Sequence, residues 1–186
     1  MQTDTLSNES ETPVCVLPRV MPSFLVGKSI LDACCGSKMI WKNKHHPGVL
    51  YIDNRNGEFI SSNGYKNIIE PDIVADFRKL PFENETFNLV VFDPPHRSDL
   101  GKNSWMENQY GRLFPTWETD LKSGFDECMR VLKFNGVLIF KWNEKQIKTS
   151  KIISIIGVEP LFGNLSGKGG KTIWMIFMKE VSCNEA

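Results

Sequence analysis

Between Ser29 and Trp142 the chain carries five short apolar runs rich in β-branched residues: Ser29–Ala33, Val49–Asp53, Asp72–Ala75, Phe87–Phe92 and Gly136–Trp142. Most are apolar on both faces instead of alternating, the pattern of central parallel strands covered on both sides. Helical spacing follows the fourth run, where Trp117, Leu121, Phe125, Cys128, Met129 and Leu132 share a stripe within Thr116–Leu132. Thr116 is placed as its N-cap and Asn135-Gly136 as its stop, and Asn143 is placed to cap a second helix running to about Ile156. The chain then reads as an antiparallel hairpin, with Glu159–Phe162, a glycine-rich turn over Gly163–Gly170 and a strand over Lys171–Met178. Two connections, Gly36–Gly48 and Asn54–Pro71, hold many Gly, Asn, Ser and Pro residues and little helical periodicity, so the helices of the first half are expected to be abridged. The stretch His96–Pro115 is long and irregular, a property of functional or disordered loops. The expected architecture is α/β, a mostly parallel open sheet closed by a C-terminal hairpin.

With 186 residues, 41% of them apolar, the chain can bury one core without disulfides or a structural metal. Residues 1–12, rich in Ser, Thr, Asn and Glu, read as a flexible tail, and 13–181 as a single domain. The five cysteines (Cys15, Cys34, Cys35, Cys128, Cys183) form no C-x-x-C pair, which fits a reducing cytoplasm. Adjacent Cys34 and Cys35 have poor geometry for chelating one ion, and His45-His46 before Pro47-Gly48 reads as a surface turn, so no metal is expected. No apolar run approaches the roughly 18 residues that span a bilayer, and the polar opening lacks the pattern of a signal peptide. A soluble cytoplasmic protein without a membrane partner is the expectation.

The strand ends carry the chemistry, because in open α/β sheets ligands bind outside the carboxyl ends of the strands. The first run ends Asp32-Ala33-Cys34-Cys35-Gly36-Ser37, an acid followed by small residues that let a ligand approach the backbone. The second ends at Asp53, 21 positions after Asp32, close to the spacing expected of an acid that takes ribose hydroxyls. The third ends in Asp76-Phe77 and the fourth in Asp93-Pro94-Pro95-His96. An apolar strand end needs no carboxylate for stability, and four at equivalent points argue for one shared site.

In this order the segments resemble the motifs of class I S-adenosylmethionine-dependent methyltransferases, from about Val26 to Met178. The resemblance implies a Rossmann-like, seven-stranded fold and S-adenosyl-L-methionine as cofactor. It places the methionine part on Asp32, Ala33, Cys34, Cys35 and Gly36, the ribose on Asp53, and the adenine on Asp76 and Phe77. Lys38 departs from the pattern, standing where the family has its last loop glycine. Asp93-Pro94-Pro95-His96 resembles the Asp/Asn-Pro-Pro-aromatic signature of amino-methyltransferases, with His in the aromatic position. An amino group on an aromatic base is a poor nucleophile because its lone pair is delocalised. If Asp93 and the Pro94 carbonyl accept its two hydrogens, the nitrogen can pyramidalise toward the methyl group. Pro95 would stiffen the corner and His96 would offer a ring for stacking.

The implied acceptor is an exocyclic amine of a nucleic-acid base, with DNA adenine ahead of RNA adenine. The basic and aromatic residues Arg97, Lys102, Trp105 and Tyr110, and Lys168 in the hairpin turn, are the candidate substrate contacts. Lys plus Arg (22) equals Asp plus Glu (22), so any nucleic-acid contact must come from such local patches. A protein amide or a small molecule remains as an alternative acceptor. Phe140-Lys141-Trp142-Asn143-Glu144 and the Asp32–Ser37 segment also resemble small methyltransferases of bacteriophages and prophages, which implies a bacterial or phage-infected cytoplasm. The abridged first half and Lys38 leave open a non-catalytic phage binding module on the same fold.

Overall fold

The computed structural model describes residues 23–101, 104–167 and 169–180. The expected tail 1–12, Cys15, Cys183, Lys102 and Lys168 lie outside them. A 3-10 turn at Ser23–Leu25 precedes β1 (Ile30–Asp32), β2 (Val49–Asp53), β3 (Gly57–Ile60), β4 (Lys66–Ile69), β5 (Ile73–Val74) and β6 (Phe87–Phe92). There follow α1 (Trp105–Tyr110), α2 (Trp117–Val131), β7 (Leu132–Asn143), α3 (Thr149–Ile156), β8 (Phe162–Ser166) and β9 (Thr172–Met178). Seven strands form one sheet in the order β5-β2-β1-β6-β7-β9-β8. β5, β2, β1, β6 and β7 run parallel, while β9 is antiparallel to β7 and β8 to β9. The chain moves from β1 outward to β5, then returns to β6 on the other side of β1. The reversal of strand order therefore falls between β1 and β6, which is where such sheets open a crevice.

Apolarity on both faces is realised most fully in β2, whose five residues are all buried. Leu50 and Ile52 face the larger core, where Leu31, Val90, Phe92 and Phe140 pack with Leu121 and Phe125 of α2 and with Ile152 and Ile156 of α3. Val49 and Tyr51, alternating with them, join Cys35 in a smaller cluster on the opposite face, against Ile30 and Trp41. Among the described residues the first half contains no α-helix, so the abridgement read from the sequence holds. No helix among them is long and apolar enough to cross a membrane.

Several local expectations are corrected. Asn54–Pro71, read as poor in helical periodicity, holds no helix, but it does hold two strands that sequence spacing does not place, β3 and β4, paired as an antiparallel hairpin around Asn63-Gly64. The pair is short and half exposed, and its alternation over four residues each gives a weak period-2 signal. His96–Pro115 contains α1, whose N-cap Ser104 accepts a hydrogen bond from the Glu107 N–H at 3.2 Å. Thr116 does occupy the N-cap position of α2 but makes no capping bond, since its hydroxyl donates to Asp120 instead. Asn143 caps no helix: it ends β7, and α3 starts six residues later, where the Thr149 N–H donates to the Glu144 carboxylate. The hairpin strand is Phe162–Ser166, not Glu159–Phe162. Gly163 fits within it because it lies against the Trp174 backbone, where a side chain would crowd the partner strand.

Candidate active site

The carboxyl ends of β1, β2, β5 and β6 meet along one edge of the sheet, and two adjoining cavities lie over them. The larger, about 450 Å³, is lined by Asp53, Asp76, Phe77, Trp117, Asp93 and Pro94 among others. The smaller, about 180 Å³, is lined by Asp32, Gly36, Ser37, His96, Gln109 and Lys141 among others. Cys34, Arg55, Asp93, Pro94 and Tyr110 border both, so Asp93-Pro94 stands at the junction.

The loop after β1 is held by backbone bonds into the neighbouring strands, with the Ala33 N–H donating to Val91 and the Cys35 N–H to Ile52. Gly36, at φ +50°, donates its N–H to Asp53 at 2.8 Å, and a Cβ there would lie 3.5 Å from the Gln109 carbonyl. Lys38 takes up the left-handed backbone, φ +58°, that the family's glycine would adopt. The strain of that conformation is offset by burial of its stem and by the ammonium sitting 4.4 Å from the Tyr51 ring centroid. The departure at position 38 thus leaves the loop's turn in place.

Asp32 is 1% exposed, and its carboxylate accepts from the Trp41 indole at 2.6 Å and the Cys34 N–H at 3.3 Å. Burial pushes its pKa up to about 7, against the lowering effect of those two donors, and nearby Asp93 and Asp53 push the same way as burial. Burial likewise raises the Cys34 and Cys35 thiols, which keeps them inert as nucleophiles. Asp53, 4% exposed, also accepts from the Arg55 backbone and guanidinium at 3.0 Å. Arg55 in turn donates to the Asn108 carbonyl of α1 at 3.2 Å, which ties the end of β2 to the strap that roofs the site. Asp76 accepts from Arg78, whose hydrogen bonds hold the carboxyl below its ordinary range. Phe77 packs edge-on against Phe92 at 5.2 Å and reaches the cavity because Gly124 of α2 leaves room for it.

At the end of β6, Lys141 of β7 donates to Asp93 Oδ2, and no described residue donates to Oδ1. His96 lies between Trp142, edge-to-face at 6.2 Å, and Tyr110, tilted at 6.3 Å. Burial lowers its pKa, opposed by Asp93, so the imidazole is neutral at pH 7. Of the three expected substrate contacts among the described residues, Tyr110 borders the cavities and Arg97 and Trp105 do not. Arg97 pairs with Asp99 at 2.7 Å and Trp105 meets Tyr65 edge-on at 6.5 Å, both outside them. Sequence spacing assigns no site role to Trp41, Arg55, Gln109 or Lys141, all of which the structure brings to the site. Ser104-x-x-Glu107, a capping-box pattern, was the available sign of the helix that carries Gln109.

Neither the family models nor the curated proteins contain a match to this sequence. Solved structures do. The N-methyltransferase NodS from Bradyrhizobium japonicum superposes with a TM-score of 0.52 at 12% identity, over 83% of this chain and 86% of that one. A TehB-like SAM-dependent methyltransferase from Corynebacterium glutamicum gives 0.50 at 15% identity, over 83% and 81%. The fold is that of the class I S-adenosylmethionine-dependent methyltransferases.

Proposed function

We propose that the protein is an S-adenosylmethionine-dependent methyltransferase that acts on an exocyclic amine of a nucleic-acid base, with DNA adenine as the leading acceptor. The observation that carries this reading is the meeting of Asp53, Asp76, Phe77 and Asp93-Pro94 around one cavity at the reversal of strand order. Its volume, about 450 Å³, is that of a cofactor site, and it is lined chiefly by apolar groups with a few convergent carboxylates. The fit to the cofactor rests on two features. Gly36 presents bare backbone at φ +50° to the adjoining smaller cavity, and Ser37 Oγ beside it is buried with no hydrogen-bond partner among the described residues, so the methionine end of the cofactor would extend there and meet a free hydroxyl.

When bound, S-adenosylmethionine supplies an electrophilic methyl group on a cationic sulfur. Asp32, Asp53 and Asp93 surround Cys34 with carboxylates that favour a cationic ligand. Asp93 Oδ1 and the Pro94 carbonyl accept the two amino hydrogens, while Lys141 orients Asp93 through Oδ2. The nitrogen loses a proton as it gains the methyl group, and Asp93, already bonded to that N–H, receives it. His96, neutral and packed against Trp142, lines the acceptor side with a flat ring.

Incubation with methyl-labelled cofactor and adenine-containing DNA and RNA oligonucleotides tests the reading. Label in N6-methyladenine is the expected result, and label confined to protein or small-molecule fractions would move the acceptor elsewhere. Asp93→Ala should bind the cofactor normally in calorimetry yet lose about 10²- to 10³-fold in kcat.

A further inference from the structure

We infer that Gln109 is the specificity-determining residue of the acceptor site, and that its amide recognises the hydrogen-bond acceptor adjoining the amine, the ring nitrogen of a base. This rests on the base-amine reading and names what that site reads beyond the amine. Gln109 is 5% exposed and lines the small chamber where Asp93, Pro94, His96 and Lys141 meet the loop residues Gly36 and Ser37 read as the cofactor's, so the chamber joins the two subsites. No described residue hydrogen-bonds its side chain, and the amide opens onto the chamber. A ligand edge that displaces water from this amide must supply a hydrogen-bond partner itself, or the amide is left unpaired at a cost.

Of the other donors bordering the chamber, Ser37 stands on the loop read as holding the cofactor, and the two cations nearest Asp93 and Asp53 are engaged. Lys141 is held by Asp93, and Arg55 by Asp53 and the Asn108 carbonyl. Gln109 is also the buried residue of α1. The preceding carbonyl, Asn108, accepts from both Arg55 at 3.2 Å and Asn67 at 3.1 Å, which pins the helix to the end of β2 and to β4. The chamber, about 180 Å³, is below the size of a whole-ligand pocket and suits one edge of a planar group. With the amine held by Asp93-Pro94, the neighbouring atom on that edge of adenine is a ring nitrogen that accepts, and a neutral amide N–H is its complement. A site built on such a bond discriminates strongly against an analogue that lacks it, because its own polar group is then left unpaired.

The test compares methyl transfer to oligodeoxynucleotides that carry adenine or 1-deazaadenine at the same position, which keeps the amine and removes the ring nitrogen beside it. The wild-type protein should prefer adenine by at least about 100-fold in kcat/KM. Gln109→Leu should lower transfer to adenine and bring the two substrates to within about fivefold of each other, with cofactor affinity unchanged. Gln109→Glu, which keeps the volume but cannot donate when ionised, should behave alike and guards against misreading a packing defect. Transfer to adenine by the wild type without preference over 1-deazaadenine, or a preference that survives both substitutions, overturns the role of Gln109 and leaves the base-amine reading intact. Lost cofactor affinity with preserved discrimination would place Gln109 on the cofactor's side and overturns it as well. No transfer by the wild type to either oligonucleotide removes the base-amine reading and this inference with it.

Discussion

Asp32 is the residue on which the site's response to pH turns. Its carboxyl is buried, and in the free protein its pKa is raised from 3.8 to about 7. Folding with this acid protonated is therefore favoured below the unfolded value, and that contribution to stability fades as pH rises through about 7. Binding of a cationic cofactor has the opposite preference, because the ionised carboxylate attracts it. Affinity for S-adenosylmethionine should accordingly rise from pH 6 to pH 8 with a midpoint near 7, and binding at pH 6.5 should release protons, measurable by calorimetry in buffers of different ionisation enthalpy. Asp32→Asn should flatten the profile. Trp41→Phe removes the indole N–H that lowers the Asp32 pKa, so its midpoint should move to higher pH. A profile that is level across this range in the unaltered protein would mean that Asp32 does not sense the bound cation.

At the scale of elements, α2 is the part whose fit to the sheet shapes the cofactor cavity. A Cβ at Gly124 would come within 2.5 Å of the Phe77 ring and 2.8 Å of Phe92, so the helix lies close to the sheet only because that side chain is absent. Gly124→Ala should cost about 1–3 kcal/mol by overpacking, seen as a Tm lower by about 2–4 °C per kcal/mol in a domain of this size. It should weaken cofactor binding too, since Phe77 is the group displaced, and adding Phe77→Leu should restore most of the stability but not the affinity. The strands themselves are legible because most of the runs are apolar on both faces and four of the five stop at an acid. The β3–β4 hairpin was not read, since four alternating residues on either side of Asn63-Gly64 are a faint signal. The four strand-end acids were equally legible, but their partners were not. Trp41 meets Asp32 from a loop without periodicity, and Lys141 meets Asp93 only because β7 lies in register beside β6. Pairings across strands appear once the register is known, and nothing in local spacing announces them.

For the whole molecule the deciding quantity is how its charge is distributed. Positive and negative side chains balance, 22 against 22, and every arginine among the described residues is paired with a carboxylate. Arg97 and Arg112, on the strap beside the site, are held by Asp99 and Glu107. A polyanionic acceptor that gains a phosphate contact with either one displaces an acid of the same sign, so the net release of counterions is small. Under the proposed reading, a single-stranded acceptor should then bind with about two phosphate contacts, and log K should fall against log salt with a slope of about −1.5. Exchanging Asp99→Asn and Glu107→Gln together would free both guanidinium groups, and should steepen the slope and raise affinity at low salt while leaving cofactor affinity as it was. Fluorescence anisotropy with a labelled adenine-containing oligonucleotide across 50–300 mM salt reads both quantities. A slope steeper than about −4 in the unaltered protein would require a phosphate-tracking path that these paired side chains do not supply, and would transfer recognition from the strap to another surface. Under the proposed reading, the balanced pairing instead leaves selection to the chamber, where the Gln109 amide and the Asp93 carboxylate would meet a single base.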